Sequence, residues 1–377
     1  MKFLLIYVPN LRFREFHTEW EKIQIGNLIK ERKEYTSDFE KYPLYSFTIE
    51  SGITPKSDRY ERSFLVKKEG DLFKIVHQND FVMNPMNLRF GALNYSKINQ
   101  TVSVSGYYDI FTIDACKYNE FWNAYLKTPR MLYTYNTIAT GSLVEKKRVY
   151  FKQLKELKMC IPSEMEKNKI NEFINLLNER IQTQNKIIDD YNSLKIGIYN
   201  WMFKENYADY KLKQLAYIVK GDQINNDQLL SNGSYYMMNG GTSPSGYLDS
   251  YNVSENTISI SEGENSCGYV QFNSSPFWSG GHCYTIQNVN SALIDNKYLY
   301  HYLKHKEKEI MNLRIGTGLP NIQKRDLENF TILAPNLSIQ RKNLALFEML
   351  DEKISVLNEE LTILEKQKKY LLCNMFI

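Results

Sequence analysis

His301 and His305, four residues apart, are the first candidates for chemistry in this 377-residue sequence. On a helix that spacing puts both rings on one face, as zinc peptidases require. Such a site also needs a glutamate general base directly after the first histidine, and Tyr302 stands there. The pair therefore reads as surface histidines. Asn84-Pro85-Met86-Asn87 begins like the Asn-Pro-Pro-aromatic loop with which amino-methyltransferases grip a flipped base, but the second proline and the aromatic are missing. No glycine-rich strand–turn–helix for a nucleotide cofactor precedes it, so an ordinary turn is expected. Gly240 to Gly246 lacks the Gly-Lys-Ser/Thr of a phosphate loop, and Gly280-Gly281-His282 reads as a tight loop. Cys116, Cys160, Cys267, Cys283 and Cys373 form no CxxC pair. Zinc ribbons and disulfide frameworks are therefore not expected, and a reducing cytoplasm is. With no nucleophile elbow and no nuclease-like carboxylate spacing, a binding or organising role is favoured over an enzyme with a metal or cofactor of its own.

Binding chemistry is better represented. Lys56, Arg59 and Arg62 follow a turn read at Gly52-Ile53-Thr54-Pro55, and Asn87 and Arg89 precede Gly91. The basic stretches Lys146-Lys147-Arg148 and Lys324-Arg325 each follow glycine turns, at Gly141 and at Gly316-Thr317-Gly318, where backbone can approach a phosphate. The second half carries fewer cations. It offers Lys220 and two polar loops: Asn239 to Tyr247, with Thr242 and Ser243, and Glu262 to Cys267, with Asn265. Lysine and arginine hold phosphates, while Asn, Ser, Thr and Glu can read base edges. A net charge of +4 permits nucleic-acid binding without demanding it. The 28 tyrosines suit either β-rich cores or a polar recognition surface.

These loops need elements to hold them, and the elements are duplicated. Pro162 and Pro335 lie 173 residues apart, and the same offset relates Leu177 to Leu350, Ile181 to Ile354, and Met202-Phe203 to Met375-Phe376. After each proline, apolar residues recur in steps of three and four. The first set is Ile170, Ile174, Leu177, Ile181, Ile188, Tyr191, Leu194 and Ile198; the second is Phe347, Leu350, Ile354, Leu357, Leu361, Leu364 and Leu371. The near-heptad step predicts two long helices whose stripes meet each other, as in an antiparallel coiled coil. Ser163 with Glu166 makes a capping box for the first, and Asn336 can cap the second. At about 40 residues each, the helices would span roughly 60 Å.

Around them the chain reads as short strands broken by Gly, Asn, Pro and Ser, such as Asp80 to Pro85, Thr101 to Ser105 and Thr257 to Ser261. Trp20–Ile29 resembles Tyr210–Val219 at an offset of 190, and Phe121–Lys127 resembles Tyr298–Lys304 at 177. The expected fold is α+β, with an internal pseudo-two-fold repeat. Its parts are a mixed α/β domain over 1–158, a spacer helix over 159–208, a second domain over 209–333, and a second helix over 334–377. No apolar run is long enough for a membrane span, and Phe3 to Val8 is too short for a secretory leader.

Residues along nearly the whole chain resemble the specificity subunit of type I DNA restriction–modification enzymes. Val8-Pro-Asn-Leu-Arg-Phe13 with Trp20 resembles the family's entry into its first target-recognition domain. Thr317-Gly-Leu-Pro-Asn-Ile322, followed by Leu327 to Pro335, resembles the exit from a recognition domain into a helix. Gly246-Tyr247, Gly268-Tyr269-Val270 and Pro276 to Gly281 resemble one common recognition-domain type. Glu164-Met-Glu166 and Ser338-Ile-Gln340 only approximate the family's Glu-Gln after the proline. The resemblance implies that each domain reads one half of a split, asymmetric site on double-stranded DNA. It implies that the helices set the gap and dock two modification subunits, which supply S-adenosylmethionine, with restriction subunits adding ATP- and Mg-dependent translocation. The competing reading is a two-domain DNA-binding or scaffold protein whose coiled-coil spacer has nothing to do with methylation.

Overall fold

The computed structural model describes residues 8–49, 52–55, 72–143, 146–203, 207–263, 266–316 and 320–376. The fold is α+β, and the chain divides into two compact units, Met1–Gln184 with Glu360–Ile377, and Asn185–Glu359. Each of the two long helices begins in one unit and ends in the other.

The first unit contains β1 (Glu21–Gln24), β2 (Ile29–Arg32), β3 (Tyr35–Thr36), β4 (Tyr45–Thr48), β5 (Gly52–Pro55), β6 (Phe73–Val76), β7 (Phe81–Met83), β8 (Leu93–Tyr95), β9 (Val102–Val104) and β10 (Asp109–Ile113). Helices α1 (Asn119–Tyr125), α2 (Pro129–Ile138) and α3 (Phe151–Glu156), strand β11 (Lys158–Ile161) and the start of α4 (Glu164–Met202) follow. A four-stranded antiparallel sheet in the order β2-β10-β7-β8 forms its centre. Successive residues of a strand face opposite sides. Phe81, Met83, Phe111 and Ile113 accordingly point to the main core with Phe121 and Trp122 of α1, while Val82 and Ile110 point to a smaller core with Phe47, Val76 and Val104. Strand β1 pairs with β11, β3-β6-β9 form a second sheet, and β4 pairs with β5.

The second unit repeats this frame. It contains β12 (Ala208–Lys211), α5 (Leu212–Leu215), β13 (Tyr217–Lys220), β14 (Tyr235–Met238), β15 (Gly246–Leu248), β16 (Thr257–Ser261), β17 (Val270–Asn273), β18 (Trp278–Ser279) and β19 (Cys283–Gln287). Helices α6 (Asn296–His305), α7 (Glu307–Met311) and α8 (Lys324–Glu328), strand β20 (Thr331–Ala334) and α9 (Leu337–Met375) complete it. The central order β13-β19-β16-β17 matches β2-β10-β7-β8, and β12-β20 matches β1-β11. The outer sheets differ: β14 runs parallel to β18, whereas β6 is antiparallel to both neighbours.

The ladders correct one sequence alignment. Ile29 lies opposite Ile113 and Ile218 opposite Ile286, and all four are buried. Ile29 thus corresponds to Ile218, an offset of 189 where the sequence comparison had 190. A slip of one residue would turn the side chains to the wrong face, because the pleat repeats every two residues.

Both long helices have 39 residues. Buried and half-buried positions on α9 recur at Phe347, Leu350, Ile354, Leu357, Leu361, Leu364, Lys368 and Leu371. On α4 they recur at Ile170, Ile174, Leu177, Ile181, Gln184, Ile188, Tyr191, Lys195 and Ile198. Leu194, expected on this stripe, is exposed. The heptad step from Tyr191 falls on Lys195, whose stem covers apolar surface while its ammonium pairs with Asp351. Within the first unit, Lys368 donates to Asn178 Oδ1 at 2.5 Å and Gln184 to Glu360 at 3.1 Å. Within the second, Lys195 pairs with Asp351 and Tyr199 meets Phe347 edge-on at 4.5 Å. Both sets run antiparallel.

The repeated Met-Phe ends have a packing role. Phe376 stacks on Tyr125 at 5.0 Å and contacts Phe121 at 5.5 Å. Phe203 contacts Tyr302 at 4.9 Å and Tyr298 at 5.6 Å, which are the corresponding positions of α6. The helix leaving one domain therefore ends in the other unit's core.

Capping follows the local sequence only in part. Asn336 Oδ1 accepts from Ile339 N at 3.1 Å, as expected. At α4, Glu166 N donates to Ser163 Oγ at 3.4 Å, but the Glu166 carboxylate is taken by Arg12 at 2.6 and 2.7 Å instead of closing the box. A bidentate guanidinium outcompetes a single backbone donor for a buried carboxylate.

Candidate nucleic-acid interface

In the first unit, Asn84 Oδ1 accepts from Met86 N at 3.0 Å and Asn87 N at 3.4 Å, folding Asn84–Asn87 into the expected turn. Gly91 closes it with φ +90, a conformation that favours glycine. A second strap docks beside the turn. Thr140 and Arg148 exchange backbone hydrogen bonds at 2.9 Å, and Val149 N donates to Pro85 O at 2.9 Å. Asn87, Arg89 and Arg148 are thus drawn to one neighbourhood. The Arg89 guanidinium lies 4.6 Å from the Phe90 ring centre and that of Arg148 lies 5.4 Å from Tyr107. Such stacking holds a guanidinium in place. Lys147 is half-buried beside Gly141, where a Cβ would sit 3.0 Å from the Lys147 Cα.

Two readings in this unit need correction or fall outside it. The turn read at Gly52–Pro55 is strand β5, with Ile53 opposite Phe47. That apolar cross-strand pair outweighs the turn tendency of Gly52 and Pro55, which sit at the strand's two ends. Lys56, Arg59 and Arg62 lie outside the described residues.

In the second unit the polar loops converge. Asn239 Oδ1 accepts from His282 N at 3.0 Å, and Gly240 O accepts from Ser261 Oγ at 2.5 Å. This seats the Asn239–Tyr247 loop on the Gly280-Gly281-His282 turn. A Cβ on Gly280 would come within 2.5 Å of Asn239 Oδ1, so the close approach needs glycine. Lys220 Nζ reaches Glu262 Oε1 at 2.6 Å, the Tyr284 hydroxyl donates to the same oxygen at 3.0 Å, and His282 Nδ1 lies 3.8 Å from Oε2. Burial first, and then the Glu262 charge, push the Tyr284 hydroxyl pKa up. Ile322 N donates to Glu262 O at 2.9 Å and brings the segment before Lys324 alongside.

Of the residues singled out here, Asn239 is half-buried and holds the loop, while Thr242, Ser243 and Tyr247 are exposed on it. Asn265 lies outside the described residues, as do Thr317 and Gly318. Lys324 and Arg325 are exposed on α8, where Lys324 is 3.8 Å from Glu328. Sequence reasoning missed His282 and Tyr107; the glycine pair before His282 was the available signal for the first. It also misplaced His301, which is buried. Its Nδ1 hydrogen-bonds the Tyr199 hydroxyl at 2.9 Å and its ring lies 5.0 Å from Phe347. Burial pushes its pKa down to about 4. The apolar residues flanking it on α6 form a face that packs on α4 and α9, and His301 falls within that face. His305 is half-buried nearby, 5.3 Å from the Phe203 ring.

Matching ladder positions carry different chemistry in the two units. Glu31 lies opposite Phe111 as Lys220 lies opposite Tyr284. Met83 faces Asp109 where Glu262 and His282 stand in the second unit. One backbone frame therefore presents a glutamate in one copy and a lysine in the other. Among the described residues no three His, Cys, Asp or Glu side chains are grouped to hold a metal ion. No described helix is long and apolar enough to cross a membrane.

Residues 204–366 match the type I restriction modification DNA specificity domain. Over 127 residues the chain is 34% identical to a candidate type I specificity subunit of Mycoplasma pneumoniae and 32% identical to one of Mycoplasma genitalium. Each alignment covers 34% of this chain, so the match spans about a third of the length of these relatives (34% and 33%). The fold is similar to the crystal structure of the S subunit of a type I restriction-modification system from M. genitalium. The TM-score is 0.63 at 17% identity, covering 98% of this chain and 99% of that one. A chain from a structural study of type I system assembly gives a TM-score of 0.59 at 12% identity, covering 94% and 96%.

Proposed function

We propose that the chain belongs to the type I restriction–modification specificity family, whose DNA specificity domain residues 204–366 match, and that it supplies DNA-sequence specificity to such a complex. Each unit reads one half of a split, asymmetric site on double-stranded DNA. The observation that carries this reading is the repeated ladder with unlike side chains, Glu31, Met83 and Asp109 in one copy and Lys220, Glu262 and His282 in the other. A kept frame with exchanged polar groups lets two different half-sites be read by one architecture.

In this reading Arg89, Lys147 and Arg148 of the first unit, with Lys324 and Arg325 of the second, hold phosphates. Asn87, Asn239, Thr242, Ser243 and Tyr247 approach base edges. The helices act as spacer and as the dock for two modification subunits, with restriction subunits joining them. Exposed apolar residues Met349, Val356, Ile363 and Tyr370 recur every seven positions along α9 and suit a partner helix. Catalysis, with S-adenosylmethionine, ATP and Mg, belongs to those partners. Half-sites about 34–36 Å apart lie on one face of the duplex.

Mapping methylated bases in the host genome with and without this gene tests the proposal. Loss of one split, adenine-methylated motif is expected. Exchanging residues 209–333 for another domain of the type changes one half of the motif only. An unchanged methylation pattern in an expressing host, or a change in both halves, refutes the reading.

A further inference from the structure

The first unit contains an open cleft of about 720 Å³ between α1, α2 and the adjoining stretches of α4 and α9. Its walls are apolar, including Ala124, Leu132, Ile174 and Leu372, and Lys127 and Lys368 reach into it. Clefts of roughly 300–1,000 Å³ with apolar walls and a few polar groups suit small molecules.

The duplication explains why the cleft is open. The 173-residue offset of the long helices relates Ile174, Asn178, Lys368 and Leu372 to Phe347, Asp351, Lys195 and Tyr199. The 177-residue offset of α1 and α6 relates Asn123 and Ala124 to Tyr300 and His301. In the second unit those positions form a packed cluster: Tyr199 bonds His301 at 2.9 Å, Phe347 lies 4.5 Å from Tyr199, and Lys195 pairs with Asp351. In the first unit the rings are replaced by alanine, leucine, isoleucine and asparagine, and the aspartate by Asn178.

The replacements leave charge as well as space. Lys368 donates to the neutral Asn178 Oδ1 at 2.5 Å where its counterpart has a carboxylate. Lys127 Nζ has no hydrogen-bond or ion-pair partner among the described residues. Glu120, the acid on α1, is already engaged by Lys97 and by the Tyr95 hydroxyl at 2.8 Å. The remaining charged groups on the walls are Glu365 and Lys369 of α9. Asn123 Oδ1 is buried without a donor. Burial pushes Lys127 down to about 8 and lowers Lys368 as well. A nearby anion would relieve both.

We infer that this cleft is a binding site for a small aromatic carboxylate, whose ring occupies the space left by the missing aromatic side chains and whose carboxylate bridges Lys127 and Lys368. The second unit's own Asp351 and rings are the template for the ligand. This inference does not depend on the DNA-reading role.

The experiment titrates the full chain with 2-naphthylacetate, followed by its fluorescence, with neutral 2-naphthaleneethanol as the control. The acid is expected to bind at one saturable site at least tenfold more tightly than the alcohol, and to weaken as pH rises through about 8 and Lys127 loses its proton. Lys127→Met and Asn178→Asp should each weaken binding tenfold or more. The first removes the cation, and the second supplies an internal carboxylate. Both variants should melt no lower than the parent, because each removes or pairs a desolvated charge, so loss of binding is not loss of fold. Equal binding of the alcohol, or unchanged binding by both variants, overturns the inference.

Discussion

Truncating the two repeated phenylalanines, one at a time, should loosen different parts of the molecule. Phe376 is 7% exposed and meets three rings of the first unit, those of Trp20, Phe121 and Tyr125. Phe203, also 7% exposed, meets Tyr298, Tyr302 and Phe347 in the second. Replacing a buried phenylalanine by alanine loses the transfer energy of the ring and leaves a cavity, together about 3–5 kcal/mol. Edge-on and stacked ring pairs add about 0.5–1.5 kcal/mol each beyond area burial, so the upper part of that range is expected at both sites. Urea unfolding gives the magnitude, and amide hydrogen exchange gives the place. Phe376→Ala should raise exchange in α1 and in the β1–β11 pair while leaving α6 protected. Phe203→Ala should do the reverse. A loss below about 1 kcal/mol in either variant, or exposure of α6 by Phe376→Ala, would refute the assignment of each helix end to the other copy's core.

Two further outcomes follow from single side chains. His301 titrates near 4 when folded, against 6.5 for the free side chain, so it is neutral in the native state at neutral pH. Its stabilising contribution is complete above about pH 6.5 and is lost as pH falls toward 4. This adds up to ~3 kcal/mol of acid sensitivity that His301→Phe should remove when melting temperatures are compared between pH 8 and pH 4.5. Arg148, stacked on Tyr107, should act as a phosphate contact. Arg148→Ala is expected to weaken DNA binding by the assembled complex about equally for target and non-target duplexes and to reduce the salt slope by about 1. Selective loss for the target alone would make it a base reader instead.

Reading the sequence recovered what local residue types settle. Both long helices follow from apolar steps of three and four, which survive because they face a core, and the strands around Phe81, Val102 and Ile258 follow from short runs broken by Gly, Asn, Pro and Ser. The turn at Asn84 was also legible, since an asparagine side chain folds its own backbone. Gly52–Pro55 misled because its deciding partner, Phe47, is a cross-strand neighbour. His301 misled because a helical histidine gives no local sign of whether its face is covered. The gathering of Asn239, Glu262 and His282 had no local signature at all, since it arises where a loop, a strand end and a turn from separate stretches meet.

The sequence by itself determined the duplication and the heptad-like stripes. These rest on repeated residue types along the chain, and repetition is visible without coordinates. Only the tertiary structure decided the register between the central ladders, where Ile29 corresponds to Ile218, one residue from the sequence alignment, because strand pairing and face are non-local. Only it set Lys220 on the same rung as Glu31. And only it revealed that Tyr199, His301 and Phe347 fill in one unit the space that Leu372, Ala124 and Ile174 leave open in the other, because packing is decided by the volume of side chains far apart in sequence.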